Sequence, residues 1–104
     1  MPMQHYKVIL GPQALKSVNA VVDFIKSVYT EESAQKYRKS FLHKLESLSY
    51  YAPIFPLSQF HFAQTIHPEA KTLSIMKRRW TVIFHIDGEY VIIDRILPSR
   101  MMTE

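Results

Sequence analysis

Few side chains in this sequence have the types and spacing that chemistry requires. There is no cysteine, so thiolate nucleophiles, disulfides and cysteine-ligated zinc or iron–sulfur centres are excluded. One arrangement could attack a phosphodiester: His85 as base or acid, with Arg79 and Arg100 as phosphate clamps. A lone histidine on a strand is also an ordinary half-exposed surface residue, and both readings stand at this point. The run Lys77-Arg78-Arg79 reads either as a solvated turn or as the electrostatic footprint of an anionic partner. His61 and His67 lack an acidic or thiol ligand at a fitting spacing. No metal and no cofactor are therefore expected.

These residues must be carried by elements, and the pattern of apolar positions defines them. His5 to Leu10 is short and rich in β-branched residues, which predicts a strand. Gly11-Pro12 stops it, and proline is well placed to open a helix because its missing N–H would have no partner there. Apolar residues at 14, 15, 18, 21, 22, 25 and 28 then trace the stripe of an amphipathic helix from Gln13 to about Tyr29. Thr30 is a good N-cap for a second helix, with Glu31 and Glu32 where the helix dipole favours negative charge. Ala34, Tyr37, Phe41, Leu45 and Leu48 form its apolar stripe, and Lys36, Arg38, Lys39 and Lys44 make its other side basic. So short a join implies an antiparallel helical hairpin.

Tyr50 to Ala70 contains three prolines and no sustained period; Phe60 to Ile66 is read as a short extra strand. Lys71 to Lys77 alternates, Arg79 to Ile86 and Glu89 to Leu97 are β-rich, and Asp87-Gly88 between them is a two-residue hairpin signal. The predicted class is α+β, in the order β-α-α-β-β-β. An antiparallel sheet is covered on one face by the helical hairpin, in one domain spanning residues 1–104.

A loop of Asp87 and Gly88 places Ile86 opposite Glu89, Phe84 opposite Val91, Val82 opposite Ile93 and Trp80 opposite Arg95. Trp80, Val82, Phe84, Ile86, Val91 and Ile93 then face the helices, with the stem of Arg95 along Trp80. The other face pairs His85 with Tyr90, Ile83 with Ile92, Thr81 with Asp94 and Arg79 with Ile96. It is expected to be open to solvent. Lys77, Arg78, Arg79, His85, Tyr90 and Arg100 are the candidate target-binding residues on and beside it.

The formal net charge is +4, which suits an anionic partner and equally an ordinary basic surface. Residues 1–10 show no signal-peptide pattern, and no apolar run approaches the roughly 20 residues of a bilayer span. A cytoplasmic protein without membrane association is expected.

The ending RRWTVIFHIDGEYVIIDRILPSR, from Arg78 to Arg100, resembles that of the RelE/ParE superfamily of type II toxins. Ala14 just after Gly11-Pro12 and Ala34 early in the second helix fit the same pattern. The resemblance implies a small intracellular toxin encoded with a labile antitoxin that wraps and neutralises it. It also implies one of two activities, since RelE-like members cut mRNA on the ribosome and ParE-like members poison DNA gyrase. Aligning Trp80 with the family's aromatic residue puts Thr72, Ser74 and Thr81 where RelE-like nucleases carry cations. Pro98 stands where a histidine is frequent, and Arg100 remains near the tail arginine. Three neutral hydroxyls cannot stabilise a pentavalent phosphate as three cations would, so the resemblance favours a ParE-like, target-binding toxin. An mRNA interferase and a non-toxic basic binding module are the alternatives. The antitoxin is expected on the apolar helical groove or as a strand added to the sheet, with Met101 and Met102 as further contacts.

Overall fold

In a computed structural model the structure of residues 5–102 is described. Strand β1 (Lys7–Leu10) leads into helix α1 (Pro12–Val28), with Pro12 in its first turn, and α2 (Glu31–Glu46) follows. The Thr30 hydroxyl caps α2 by accepting from the Ser33 N–H at 3.0 Å. A single turn, α3 (Leu48–Tyr51), and a 3-10 turn (Ala52–Ile54) lead to the short helix α4 (His61–Ile66). Strands β2 (Lys71–Ile75), β3 (Trp80–Asp87) and β4 (Tyr90–Pro98) complete the fold, and a 3-10 turn (Ser99–Met101) opens the tail. Among the described residues no helix is long and apolar enough to cross a membrane.

The sheet order is β1-β4-β3-β2, with the last three strands antiparallel and β1 parallel to β4. The parallel pairing needs a crossover, and the helical hairpin supplies it while covering one face. Gly11 permits the crossing. A Cβ there would meet the Ile93 carbonyl oxygen at 3.0 Å, and the Gly11 N–H donates to that oxygen at 2.9 Å. Val18, Phe41, Leu45 and Leu48 from the helical side meet Val82, Phe84, Val91, Ile93 and Ile96 from the sheet to form the main core. The Trp80 indole N–H donates to the Tyr37 hydroxyl at 3.0 Å, fastening β3 to α2.

The segment 50–70 corrects the expected extra strand. Phe60, Ala63 and Ile66 recur every three residues, and they pack together on one side of a helical turn. Backbone and side-chain bonds tie the segment to β2. The Ser58 N–H donates to the Ala70 carbonyl at 2.7 Å, and Lys71 Nζ donates to the Phe55 carbonyl at 2.6 Å.

The hairpin register also differs from the expected one. Asp87 pairs with Tyr90, so the loop is Gly88-Glu89, with Gly88 at φ +61° in the left-handed region that glycine tolerates. His85 therefore lies opposite Ile92 and Phe84 opposite Ile93. The ladder then slips by one residue, placing Ile83 opposite Arg95, Val82 opposite Ile96, Thr81 opposite Leu97 and Trp80 opposite Pro98. Asp94 is the extra residue of a β-bulge. Ile96 consequently joins the helix-side core, and Arg95 leaves the Trp80 face for that of Ile83.

That second face is not open. Ile83, Ala63, Ala70 and Met102 form a second buried cluster, flanked by Phe60, Ile66 and Leu97. Met102 is thus a core residue, whereas Met101 is exposed. Ile83→Ala is expected to destabilise the protein by about 3 kcal/mol, as burial in a covered cluster requires. Urea unfolding checks this, and a loss below about 0.5 kcal/mol would mean that the face is solvated after all.

Candidate functional site

The β2–β3 loop turns through three consecutive left-handed residues, Met76 (φ 54°), Lys77 (φ 58°) and Arg78 (φ 65°). Each such conformation in a residue with a Cβ costs roughly 1–2 kcal/mol, and strain of this kind gathers where a structure must aim particular side chains. Lys77, Arg78 and Arg79 are exposed at this turn. The tail is fixed beside them, because the Ser99 N–H donates to the Arg79 carbonyl at 2.9 Å and the Ser99 and Thr81 hydroxyls bond at 2.9 Å. Arg78, Arg79 and Arg100 therefore line one cleft of about 460 Å³, with Trp80, Pro98 and Ser99 as its remaining walls. The fold brings Arg100 beside Arg78 and Arg79 although some 20 residues of chain separate them.

On the other side of Trp80 lies an apolar groove. Val21 and Phe24 of α1 face Trp80, Ile96, Leu97 and Pro98 across about 390 Å³. A second lobe continues to Ile25, Tyr29 and Tyr37, with Arg79 at its rim. Only Ala14 and Val18 of α1 are fully buried, while Phe24 is 64% exposed, Val28 54% and Tyr29 70%. The apolar stripe read from the sequence is thus longer than the core beneath it, and its C-terminal half is left without cover. Contiguous exposed apolar surface of this sort marks an interaction site. The sequence carried the signal in Phe24, Val28 and Tyr29, but periodicity does not reveal where the underlying sheet ends.

His85 lies elsewhere. It is 9% exposed, its Nδ1 is 2.6 Å from Asp94 Oδ2, and its ring stacks on that of His67 at 3.8 Å and 6°. A carboxylate only accepts, so His85 Nδ1 carries the proton. His67 Nδ1 accepts the Glu69 N–H at 3.0 Å. Six residues of strand separate His85 from Arg79, roughly 20 Å at strand rise. The expected grouping of His85 with Arg79 and Arg100 is therefore not formed. Tyr90, 37% exposed, sits at the hairpin tip opposite Asp87 and beside Lys7, also away from the arginines. Asp94 and His67, the partners of His85, were not legible as such. A bulge and a ring stack leave no periodic mark in a sequence.

Of the three hydroxyls that the sequence resemblance aligned with cations, Thr81 is buried against Ser99, and Ser74 is exposed opposite it. Thr72 pairs with Ile83. Among the described residues no group of three His, Asp or Glu is placed to hold a metal. The arginine cleft can bind an anionic group, yet its walls supply no side chain that titrates near neutrality and could take or give a proton.

A helical hairpin laid over a β1-β4-β3-β2 sheet, with an arginine-bearing tail, sums up the fold. A chain of the solved chromosomal ParDE TA system from P. aeruginosa has this fold. The two superpose with a TM-score of 0.74 over 91% of this chain and 97% of that one, at 17% sequence identity. No family model and no curated protein matches the sequence.

The Asp94 carboxylate satisfies a buried ring nitrogen, so Asp94→Ala is expected to cost about 1–3 kcal/mol of stability. The arginine cleft should be undisturbed. Thermal unfolding with near-ultraviolet circular dichroism measures both, and an unchanged midpoint would show that the histidine needs no partner.

Proposed function

We propose that this chain, as one domain over residues 1–104, is the toxin of a type II toxin–antitoxin system acting in the cytoplasm. It is ParE-like and arrests growth by binding its target, DNA gyrase, without cleaving RNA. The observation that carries the mechanism is the separation of groups. Arg78, Arg79 and Arg100 share a cleft with no proton-transfer group in its walls, while His85 is engaged by Asp94 and His67 on a covered face. Binding needs only the first of these, and RNA cleavage by His85, Arg79 and Arg100 needs all of them together. Of the residues read as target-binding, Lys77, Arg78, Arg79 and Arg100 remain as one surface. The likeness to a chain of a ParDE system supports the toxin–antitoxin assignment.

The partner that restrains the toxin is a cognate antitoxin. The apolar groove between α1 and Trp80 suits an amphipathic segment whose acidic residues reach Arg79 at the rim. Such a partner would cover the side chains that α1 leaves exposed.

Purified protein is expected to inhibit DNA supercoiling by gyrase, and an Arg79→Glu/Arg100→Glu variant to need at least about tenfold more protein for the same effect, about 1.4 kcal/mol of binding. Induced cells should stop growing with mRNA 5′ ends unchanged by primer extension. New, codon-positioned 5′ ends together with undisturbed supercoiling would assign the chain to the interferases instead.

A further inference from the structure

A cavity of about 580 Å³ lies between α2 and the β2–β3 turn and extends the cationic surface of Lys77 and Arg78 towards the helix. Ser40, Lys44 and Ser47 reach it from the helix, spaced four and three residues apart along one stripe, and Ser74, Lys77 and Arg78 reach it from the sheet. Its remaining walls are Leu73, Ile75 and Met76, so no carboxylate lines it. Arg78 also lines the arginine cleft, so the two hollows adjoin. Together they form a track from Lys44, past Lys77 and Arg78, to Arg79 and Arg100.

The ion pairs among the described residues are Lys26–Glu31, Lys36–Glu32 and His85–Asp94. None involves a cation of the track. Among the described residues these five cations have no acidic partner; gathered along adjoining hollows they repel one another, and strained backbone holds two of them there. A ligand with regularly spaced negative charges removes that repulsion.

We infer that this track binds the phosphodiester backbone of double-stranded nucleic acid, through Lys44 together with cations that it shares with the proposed gyrase-binding surface. Its exposed polar side chains are hydroxyls and cations, the groups that bond phosphate oxygens. Its apolar walls Leu73, Ile75 and Met76 are buried or half-buried, so hydroxyls and cations are what the hollow between α2 and the turn presents to a partner. Single strands bind by stacking bases on aromatic rings, and the only ring of the track, Trp80, is half-buried with its indole N–H held by Tyr37. The contact is therefore to backbone and indifferent to sequence.

The test uses the full chain and a fluorescein-labelled DNA duplex of roughly 20 base pairs, read by anisotropy. Three to five phosphate contacts make affinity fall about 40- to 500-fold between about 50 and 200 mM salt. Lys44→Glu/Lys77→Glu is expected to weaken binding at least about tenfold at the lower salt. Lys16→Glu/Lys26→Glu, which changes the net charge equally on α1, should weaken it less than about threefold, with circular dichroism confirming that both variants fold. Equal losses in the two variants would mean that net charge alone attracts the DNA, and the inference falls. It falls also if no saturable binding is seen at low salt, or if a single strand of the same length or polyglutamate competes better than unlabelled duplex.

Discussion

Strand β4 has one residue more than β3 offers to pair with, and the ladder absorbs it at Asp94. The side-chain period of a strand is two, so this single insertion exchanges the faces of every β4 residue beyond it. An unbroken ladder would press Arg95 against the helices beside Trp80 and send Ile96 outward. With the bulge, Ile96 closes the helix-side core, and Arg95 shares the opposite face with Ile83. The residue left over aims its carboxylate at His85. The new register also brings the chain end alongside Thr81 and Arg79, so that Ser99 anchors the tail and Arg100 arrives beside Arg78. The burial of Ile96, the His85–Asp94 bond and the arginine cleft all depend on that one irregularity.

Trp80 divides what the surface offers. Its ring is wedged between Phe41 and the groove, with its N–H spent on Tyr37. On one side α1 overhangs the sheet and leaves Phe24 and Tyr29 exposed; on the other, the left-handed turn and the tail crowd cations together. Neither surface is at rest in the isolated chain. One holds apolar area in water, and the other holds like charges at close range. A protein partner and an anionic partner relieve different costs, and Arg79 borders both surfaces.

Much of the fold was legible. Gly11-Pro12, Thr30 and the spacing of Ala34, Phe41, Leu45 and Leu48 mark helix boundaries and faces because caps and periodicity are local properties. The alternation around Phe84 and Val91 located the core face of the hairpin correctly up to the bulge. The pairing itself was two residues off even before the bulge, because the loop is Gly88-Glu89 and not Asp87-Gly88. Beyond the bulge the faces of β4 failed too, because nothing in IIDRIL distinguishes a bulged strand from a regular one. The helix at His61–Ile66 was read as a strand, since six residues, under two turns, are too few for its period to be told from alternation. Of the site, Arg79 and Arg100 were recognisable by type, whereas the isolation of His85 and the groove along α1 were not.

By itself, then, the sequence determined the order of the two long helices and the four strands, the helix faces and the supply of cations without a thiol. These follow from propensity, capping and composition, which act over a few residues. Only the tertiary structure decided that the second face of the sheet is covered, that β1 runs parallel to β4, and that His85 is kept from the arginines. Those outcomes rest on register and on contacts between residues far apart in the chain. Their energies depend on which surfaces meet, and a linear pattern of side chains does not encode that locally.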